Sequence, residues 1–394
     1  MKVNFENPKD VANSIKIVKS VIKSKNTLPI LDDILVIASA DGNVTFVGSD
    51  LESTLSLAMK ADVEEAGSAA ISAHQLDLTV TNMRPEESFS LSVNEDKMVS
   101  IKTKFKKGKF SFVSESTDQF PDIDQLENEQ TKMKISFPTA VLSNAIAASL
   151  PMRANNETRP VMQGTYLSFQ QNGTFVVATD AHIMFKGQIS EASYLPNDIT
   201  ETEIGAIIPP KSGNIIPNVL KAGLAAADVD ITITKNFISF KSGKVMLSCR
   251  MTEGKYPNFE SVIPKNNSIS LVVEKESVLE AIKSAVAFSN KANNLIEINV
   301  ISNSMFKMSS QDLDFNTSAE QEVDCNINKQ LDQFRIGFDG NMLLTAIKSF
   351  DSQFVSIDME TPSSAVVVFG VNKRQDSMDK DEKTIVLQMP VIVE

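Results

Sequence analysis

The sequence has 394 residues, 42% of them hydrophobic, and a formal net charge of −12. A single core rarely grows to this length, so the chain predicts two or three domains. The acidic balance excludes a protein that coats nucleic acid with its whole surface, because phosphate binding relies on lysine and arginine. Tryptophan is absent and only three tyrosines occur, which disfavours an aromatic platform for single-stranded bases.

The chain begins with polar residues, and no apolar run reaches the roughly 18–20 residues that span a bilayer. We therefore expect a soluble, cytoplasmic protein that does not contact a membrane. Cys249 and Cys325 lie in separate stretches of alternating apolar residues, which is typical of small buried side chains and not of a disulfide or a metal pair. No cofactor or metal site is predicted.

The first predicted element is an amphipathic helix, with Asn7 as its N-cap and Pro8 at its first position. Its apolar stripe comprises Val11, Ile15, Val18 and Ile22. The chain then runs through TLPIL, an alternating strand at 44–47, the turn GSDLE and a second helix in SAHQLDLTVTNM. A strand pair follows, 89–93 with 99–105.

The same order of elements recurs twice. Helices open at Pro138 and around Glu274, the turns ATDAH and SSQDL correspond to GSDLE, and Asp339 is a predicted N-cap. The later strand pairs are 229–233 with 245–251 and 355–359 with 364–368. This tandem triplication predicts an α+β fold with helices on one side of antiparallel sheets. The predicted domains are 1–130, 131–266 and 267–394.

Several segments together resemble the bacterial DNA sliding clamp family, the beta subunit of the replicative DNA polymerase. They are TLPIL, the SDLE and ATDAH turns, GKYPNFESVIPK, IGFDGNMLLTAIKSF and QMPVIV. The resemblance covers essentially the whole chain. It implies three tandem clamp domains per chain and two chains arranged head to tail, giving a ring with helices lining the hole and antiparallel sheets outside.

The resemblance also implies a processivity factor with no catalytic residues. Its partners would be encircled double-stranded DNA, a second copy of itself, the replicative polymerase, a clamp loader and other proteins that carry a clamp-binding motif. A ring reconciles DNA binding with an acidic chain, because only the lining has to face phosphate.

The DNA contacts are predicted first from the helix at 8–22, where Lys16, Lys19 and Lys23 form a single stripe away from the apolar face. A lysine face that is merely solvated is the alternative. The family resemblance adds Lys25, Asn156, Arg159 and Lys211. Pro210 departs from the family pattern, since a basic residue is common there.

A groove for partner peptides is implied by the resemblance. Its residues are Met162, Thr179, Ala181, His182, Ile183, Met184, Pro257, Val262, Ser363, Leu387, Met389, Pro390 and Val391. Methionines suit a surface that accepts several peptides, although core or strand positions explain them equally well. Ala181 replaces a frequent glycine, and Ile183 and Ser261 stand where arginine is familiar. The charged stretch 372–383 resembles a solvent loop.

The subunit contact implied by the resemblance joins Phe110 and Phe112, on a predicted edge strand, to Ala287 and Phe288 of the other chain. Lys106, Lys107 and Lys109 would then face the partner's acidic residues. The predicted acidic residues are Asp312, Asp314 and Glu320. Alternatively, these lysines only protect an exposed strand edge from aggregation.

Two other function classes compete with the clamp. Asp180 and His182 stand two residues apart and would share one face of a strand, an arrangement that suggests acid–base or metal chemistry. However, His74 is the only other histidine. No HExxH, GxSxG, Walker or GxGxxG pattern occurs. The second alternative is a scaffold that keeps the clamp fold and the peptide groove but binds no DNA.

Overall fold

The structure, a computed structural model, describes residues 1–23, 26, 28–104, 108–121, 129–156, 158–192, 203–222, 226–331, 333–372 and 379–393. Two compact units are present. The first contains residues 1–144 and 208–251, and the second contains residues 145–207 and 252–394. Within the described residues no helix is long and apolar enough to cross a bilayer.

The first copy of the repeated pattern contains two helices and nine strands among its described residues. They are β1 (Lys2–Phe5), α1 (Pro8–Lys19), β2 (Asp33–Ala38), β3 (Asn43–Ser49), β4 (Ser53–Lys60), β5 (Asp62–Glu65), β6 (Gly67–Ser72), α2 (Ala73–Thr81), β7 (Phe89–Val93), β8 (Met98–Thr103) and β9 (Lys109–Val113). Strands β5-β1-β7-β8-β9 form one sheet, in that order.

The second copy follows the same order, with one added helical turn. Its elements are β10 (Met133–Pro138), α3 (Thr139–Ser149), α4 (Pro160–Gln163), β11 (Thr165–Gln170), β12 (Gly173–Thr179), β13 (Ile183–Ser190), β14 (Glu203–Ile208), α5 (Pro210–Ala222), β15 (Asp228–Ile233), β16 (Phe237–Ser242) and β17 (Val245–Arg250). In the first unit β17 pairs with β4, giving a sheet of order β10-β15-β16-β17-β4-β3-β2-β6.

The third copy completes the chain. Its elements are β18 (Ile269–Glu274), α6 (Lys275–Phe288), β19 (Leu295–Ser302), β20 (Met305–Asp312), β21 (Thr317–Ile327), β22 (Arg335–Asp339), α7 (Gly340–Lys348), β23 (Phe354–Met359), β24 (Val366–Val371) and β25 (Lys380–Gln388). In the second unit β25 pairs with β13, so strands of the second and third copies share one antiparallel sheet.

Helix α1 forms where the sequence predicts it. The side chain of Asn7 accepts a hydrogen bond from the N–H of Lys9 at 2.9 Å, which satisfies one free donor of the first turn. Val11, Ile15 and Val18 are buried. The helix packs beside α2 and approaches β3 at Gly48, where a Cβ would lie 2.9 Å from a carbonyl oxygen of α1. Close packing of helix and sheet therefore requires glycine there.

The threefold repeat extends to one hydrogen-bonded turn. In each copy an aspartate Oδ1 accepts the backbone N–H groups of the residues two and three positions later, at 2.7–3.3 Å. The three aspartates are Asp50, Asp180 and Asp312. In such a turn, the short aspartate side chain accepts the hydrogen bonds that a backbone carbonyl would otherwise accept. The predicted correspondence of GSDLE, ATDAH and SSQDL is confirmed.

The end of each copy also repeats. The N–H groups of Glu115, Thr252 and Val391 bond to carbonyls of β6, β14 and β22 respectively, at 2.8–3.0 Å. Each bond ties the chain leaving the copy to the strand that precedes its second helix. The α+β, antiparallel, triplicated fold predicted from the sequence is therefore confirmed.

Three sequence predictions differ from the structure. Strands 229–233 and 245–251 do not pair, because β16 lies between them and pairs with both. Helix α1 ends at Lys19, so Ile22 is half-buried beyond its end. The charged stretch 372–383 is not all loop, because β25 begins at Lys380, whose ammonium pairs with Asp358. Residues 373–378 lie outside the described residues.

Candidate functional sites

The lysine stripe of α1 has two environments. Lys16 is exposed, whereas Lys19 donates to Asp77 of α2 at 2.7 Å. Burial opposes ionisation of Asp77, but hydrogen bonds from Lys19 and Thr81 outweigh it and hold the pKa of Asp77 below its usual value. Lys16 therefore offers its whole charge to a ligand, while part of the Lys19 charge stabilises the helix pair.

Lys23 and Lys211 meet at one carboxylate in the first unit. Lys211 Nζ lies 2.6 Å from Asp50 Oδ2 and 2.5 Å from the carbonyl oxygen of Val21, and Lys23 Nζ lies 3.5 Å from the same Asp50 oxygen. The Asp50 side chain is fully buried. Two cations around one carboxylate leave a net positive charge at this point. Lys25 lies outside the described residues.

Asn156 and Arg159 stand at an exposed loop of the second unit. Asn156 accepts from the Thr158 hydroxyl at 3.0 Å, and Arg159 precedes α4 with a guanidinium nitrogen 4.0 Å from the sulfur of Met162. Both side chains are exposed. Arg159 supplies a positive charge and Asn156 an amide, so these two side chains could contact phosphate; Glu157, between them, lies outside the described residues.

The floor of the predicted groove is an apolar cluster in the second unit. Met184 and Leu387 face each other across β13 and β25 and belong to this cluster. Sequence reasoning missed most of its members, which are Phe175, Val177, Ile207, Tyr256 and Phe259, with Tyr166 packed against them. Alternation of apolar residues alone does not tell a groove floor from a core strand.

Two tyrosines define one side of the cluster. The rings of Tyr166 and Tyr256 stack with centroids 4.5 Å apart and planes 5° from parallel. The Tyr166 hydroxyl donates to Glu203 at 2.6 Å. Burial raises the pKa of both phenols. A Cβ on Gly205 would lie 2.1 Å from the Tyr166 hydroxyl, so only glycine lets this ring lie over β14.

The ATDAH turn, which belongs to the predicted groove, is fixed by its own hydrogen bonds. The Thr179 hydroxyl donates to the carbonyl of Ile183 at 2.7 Å and accepts the N–H of Ala181 at 3.0 Å. Ala181 has φ +80°, a left-handed conformation that favours glycine. Alanine is strained in this conformation, whereas the glycine that is frequent in the family would adopt it without strain. Ala181 and His182 are exposed, whereas Ile183 is buried.

The C-terminal strip borders the turn. The N–H of Met389 donates to the carbonyl of His182 at 2.8 Å, and the N–H of Val391 donates to Gly337 at 2.8 Å. Met389 remains 40% exposed. Pro390, between them, has no N–H to place, which suits a residue outside the ladder. The strip is therefore fixed by its backbone while an apolar side chain faces solvent.

The remaining predicted groove residues lie in two segments. Pro257 is half-buried and Val262 is 53% exposed, both in the segment that carries the floor residues Tyr256 and Phe259. Ser363 lies elsewhere, in a cleft of about 370 Å³. The cleft is lined by Gln333, Arg335, Gly337, Pro362, Ser363, Ile392 and Val393. Of the predicted groove residues, the structure places Met184 and Leu387 in the apolar cluster, and Ser363 in this separate cleft.

The acid–base alternative finds no support at Asp180 and His182. Asp180 Oδ1 is occupied by two backbone N–H groups of its own turn, and His182 is exposed. In the described part of the chain, no group of three or more histidine, cysteine, aspartate or glutamate side chains could hold a metal ion. Both cysteines are buried.

The predicted subunit edge is an edge strand of its sheet, since among the described residues β9 pairs with β8 alone. Lys106 and Lys107 lie outside the described residues. Phe110 is 44% exposed and Phe112 is half-buried. In the second unit, Ala287 and Phe288 are exposed at the end of α6. Strand β9 thus offers unpaired backbone groups with an exposed aromatic side chain, which natural edge strands usually avoid.

Two residues near α6 were missed. Leu313 and Phe315, in the turn between β20 and β21, are 79% and 78% exposed. The preceding residue, Asp312, is buried and caps this turn, so it cannot face a partner as predicted. Asp314 accepts from Asn290, and Glu320 pairs with Lys307 at 3.0 Å. The SSQDLDF sequence contains the exposed apolar pair. Its correspondence with the GSDLE and ATDAH turns predicts a turn there but does not predict an apolar contact surface.

Three repeated α+β copies with antiparallel sheets define a DNA clamp type of protein. Residues 2–124, 136–258 and 260–387 match the N-terminal, central and C-terminal domains of the DNA polymerase III beta subunit. The chain belongs to the DNA polymerase III beta subunit family, the sliding clamps. It is therefore a non-catalytic processivity factor of DNA replication, and DNA and a DNA polymerase are its partners.

Several relatives support this assignment. The beta sliding clamp of Bacillus subtilis is 24% identical over 88% of this chain and 90% of the relative, and that of Staphylococcus aureus is 25% identical over 86% and 87%. A solved sliding clamp from Pseudomonas aeruginosa, bound to griselimycin, aligns with a TM-score of 0.89 at 20% identity over the whole of both chains. A Bacillus subtilis clamp structure aligns at 0.85 and 22%.

Proposed function

We propose that two copies of this chain close head to tail into a ring around duplex DNA and tether the replicative polymerase to it. The observation that carries the proposal is the threefold repeat, which extends to the turns at Asp50, Asp180 and Asp312. The domain boundaries at 130 and 266, and action in the cytoplasm, are parts of the same proposal.

The ring would close through edges of opposite character. Strand β9 carries the exposed Phe110 and Lys109. The first half of β21 pairs with β20 alone in the described part of the chain and carries Glu320 and Glu322. A heterologous contact of this kind forms twice in a two-fold dimer and leaves neither edge free. Opposite charges orient the contact more than they strengthen it. Phe112, Ala287 and Phe288 are proposed to complete the interface.

The protein would contact DNA only at its phosphate backbone, through lysine, arginine and asparagine side chains. Lys16 is the freest of the predicted contacts, Lys19 shares its charge with Asp77, and Arg159 and Asn156 lie on an exposed loop. Lys23 and Lys211 would add the net charge of their cluster. So few phosphate contacts give weak, salt-sensitive binding without sequence preference. Retention on DNA would come from encirclement.

Polymerase and other proteins with a clamp-binding motif would dock in the groove. The support is an apolar floor between Met184 and Leu387, a methionine at its exposed border and a turn fixed by its own hydrogen bonds. Apolar pockets with a few fixed polar groups bind peptide anchors of this kind. Methionine side chains repack easily, which suits several partners.

A topological experiment tests the ring. The protein is loaded onto a nicked circular plasmid with a clamp loader, and the plasmid is then cut once. We expect retention on the circle and release on cutting, because a ring slides off a free end. A scaffold without DNA binding would never stay on the circle. Lys16→Ala should speed loss in salt, whereas Lys241→Ala, at an exposed position of β16, should not.

A further inference from the structure

Lys186 lies at one end of the groove floor. On β13 it stands opposite Val177 of β12 and Ile385 of β25, and two residues from Met184 on the same face. Its ammonium is 4.5 Å from the ring centroid of Phe175 and its side chain is 16% exposed. A cation within about 6 Å of an aromatic face is attracted by the ring quadrupole.

The same ammonium contacts the segment 256–263 that borders the groove. It lies 5.8 Å from the ring centroid of Phe259 and 2.7 Å from Oε1 of Glu260. Lys186 therefore joins a floor strand to this segment through one ring from each side and one ion pair. The charge is neutralised within the chain, so its role toward a bound peptide would be geometric.

The segment 256–263 has little else to fix its distance from the floor. It contains one short 3-10 turn, Glu260–Val262. The hydrogen bonds of Ser261 to Asn258 and of the Ile263 N–H to Glu260 stay within the segment, while the Tyr256 hydroxyl approaches the backbone of Thr179 on β12. The apolar anchors are the buried rings of Tyr256 and Phe259, together with the partly buried Ile263. Apolar packing holds the two rings in place. The backbone between them belongs to no β-strand, so no strand pairing fixes it.

We propose that Lys186 is a positioning residue of the peptide groove, which fixes the segment carrying Pro257 and Val262 against the floor. This inference rests on the proposed function, because it assigns Lys186 to the partner site. Without the ammonium, the segment would keep its aromatic anchors but move more freely about them. The groove would then have no fixed width, and a peptide would have to order the segment on binding.

Two readouts test the proposal on the full-length protein. Fluorescein-labelled 15-residue peptides tiled across the replicative polymerase of the same organism are screened for binding, and labelled griselimycin serves as a second probe. Lys186→Met should weaken the tightest binder about tenfold, the loss of roughly one cation–π and ion-pair contribution. The same variant should also speed amide hydrogen exchange in 256–263.

Two variants provide controls. Lys186→Arg keeps a cation over both rings and should retain binding within about threefold. Lys383→Met removes an exposed ion pair with Glu191 on the same sheet and should change neither readout. If Lys186→Met does not fold, Glu260→Gln, which leaves the ammonium on the rings, supplies the test with a smaller effect in the same direction.

The outcomes separate the two claims. Faster exchange in 256–263 together with weaker binding supports the inference. Unchanged exchange, or a lowered melting temperature with unchanged affinity, overturns it and leaves Lys186 a stabilising residue only. If the unmodified protein binds neither probe, the proposed groove function fails. The exchange data then show separately whether Lys186 positions the segment.

Discussion

The ammonium of Lys211 lies 2.6 Å from the buried carboxylate of Asp50, in a turn that repeats at Asp180. In the first copy the outer carboxylate oxygen is held by lysine within the unit. In the second copy Asp180 is only half-buried and its turn borders the apolar groove, with Ala181 and His182 exposed. The same turn is therefore covered by lysine side chains in the first copy and exposed to solvent in the second.

Lys211→Met should destabilise the first unit by about 3 kcal/mol, because it leaves a buried carboxylate with only the more distant Lys23. Urea denaturation followed by amide exchange within residues 1–144 measures this. Lys221→Met, at an exposed position on the same helix, should change stability by less than about 0.5 kcal/mol. Adding Asp50→Asn to Lys211→Met should recover part of the loss. If Lys211→Met leaves the free energy of unfolding unchanged, Lys211 contributes to DNA contact and not to the stability of the unit.

Ala181→Gly should stabilise the second unit by up to about 1 kcal/mol, since φ +80° strains alanine and not glycine. Thermal unfolding measures the gain. The matched control is Ala178→Gly, at a buried position of β12, which should destabilise by about 1 kcal/mol because glycine weakens a strand interior. Equal signs for the two substitutions would contradict the strain argument.

The sequence predicted the repeats well because each copy carries its own local signals. Helix caps at Asn7 and Asp339, and the turn aspartates, act through bonds to residues two or three positions away. Caps and turns that depend on such short-range hydrogen bonds can be predicted from a single sequence. The pairing of Lys211 with Asp50 spans 161 residues, and nothing in the local pattern of either residue indicates it.

The groove could be predicted only in part for the same reason. Resemblance placed Met184, Leu387 and the ATDAH turn, whereas Tyr166, Phe175 and Phe259 join the floor through packing between distant strands. Aromatic residues in alternating strands read equally as core. Lys186 was also hidden, because a lysine in a strand predicts a solvated face until the rings beneath it are known.

Stability should fall as pH rises through the titration of Asp33. Burial, and then the nearby charges of Glu115 and Asp32, raise the pKa of Asp33 to about 6. A carboxyl near 3.9 in the unfolded chain binds its proton less tightly, so the protonated native state is favoured below pH 4. This contribution is lost progressively between about pH 4 and 6, at a total cost of about 2–3 kcal/mol.

Asp33→Asn tests that contribution, because it removes the titrating group while keeping the shape of the side chain. Its unfolding free energy should exceed that of the unmodified protein at pH 7.5, and the difference should vanish near pH 4. Asp32→Asn, at the exposed neighbouring position, should show the same dependence with a smaller amplitude, because it removes only one of the charges that raise the pKa of Asp33. A pH-independent difference for Asp33→Asn would show that the carboxyl is not protonated in the native state.

Replacing both Leu313 and Phe315 by serine should weaken self-association at least tenfold. These side chains are 79% and 78% exposed in the single chain, so burying them against a second copy removes a large apolar area from water. Sedimentation velocity across a dilution series measures the dimer dissociation constant. Ile301→Ser is the matched control, since Ile301 is 50% exposed at the end of β19 and should leave association unchanged. If the double variant dimerises normally while Phe110→Ser does not, the interface is confined to β9 and the end of α6, and the β20–β21 turn stays outside it.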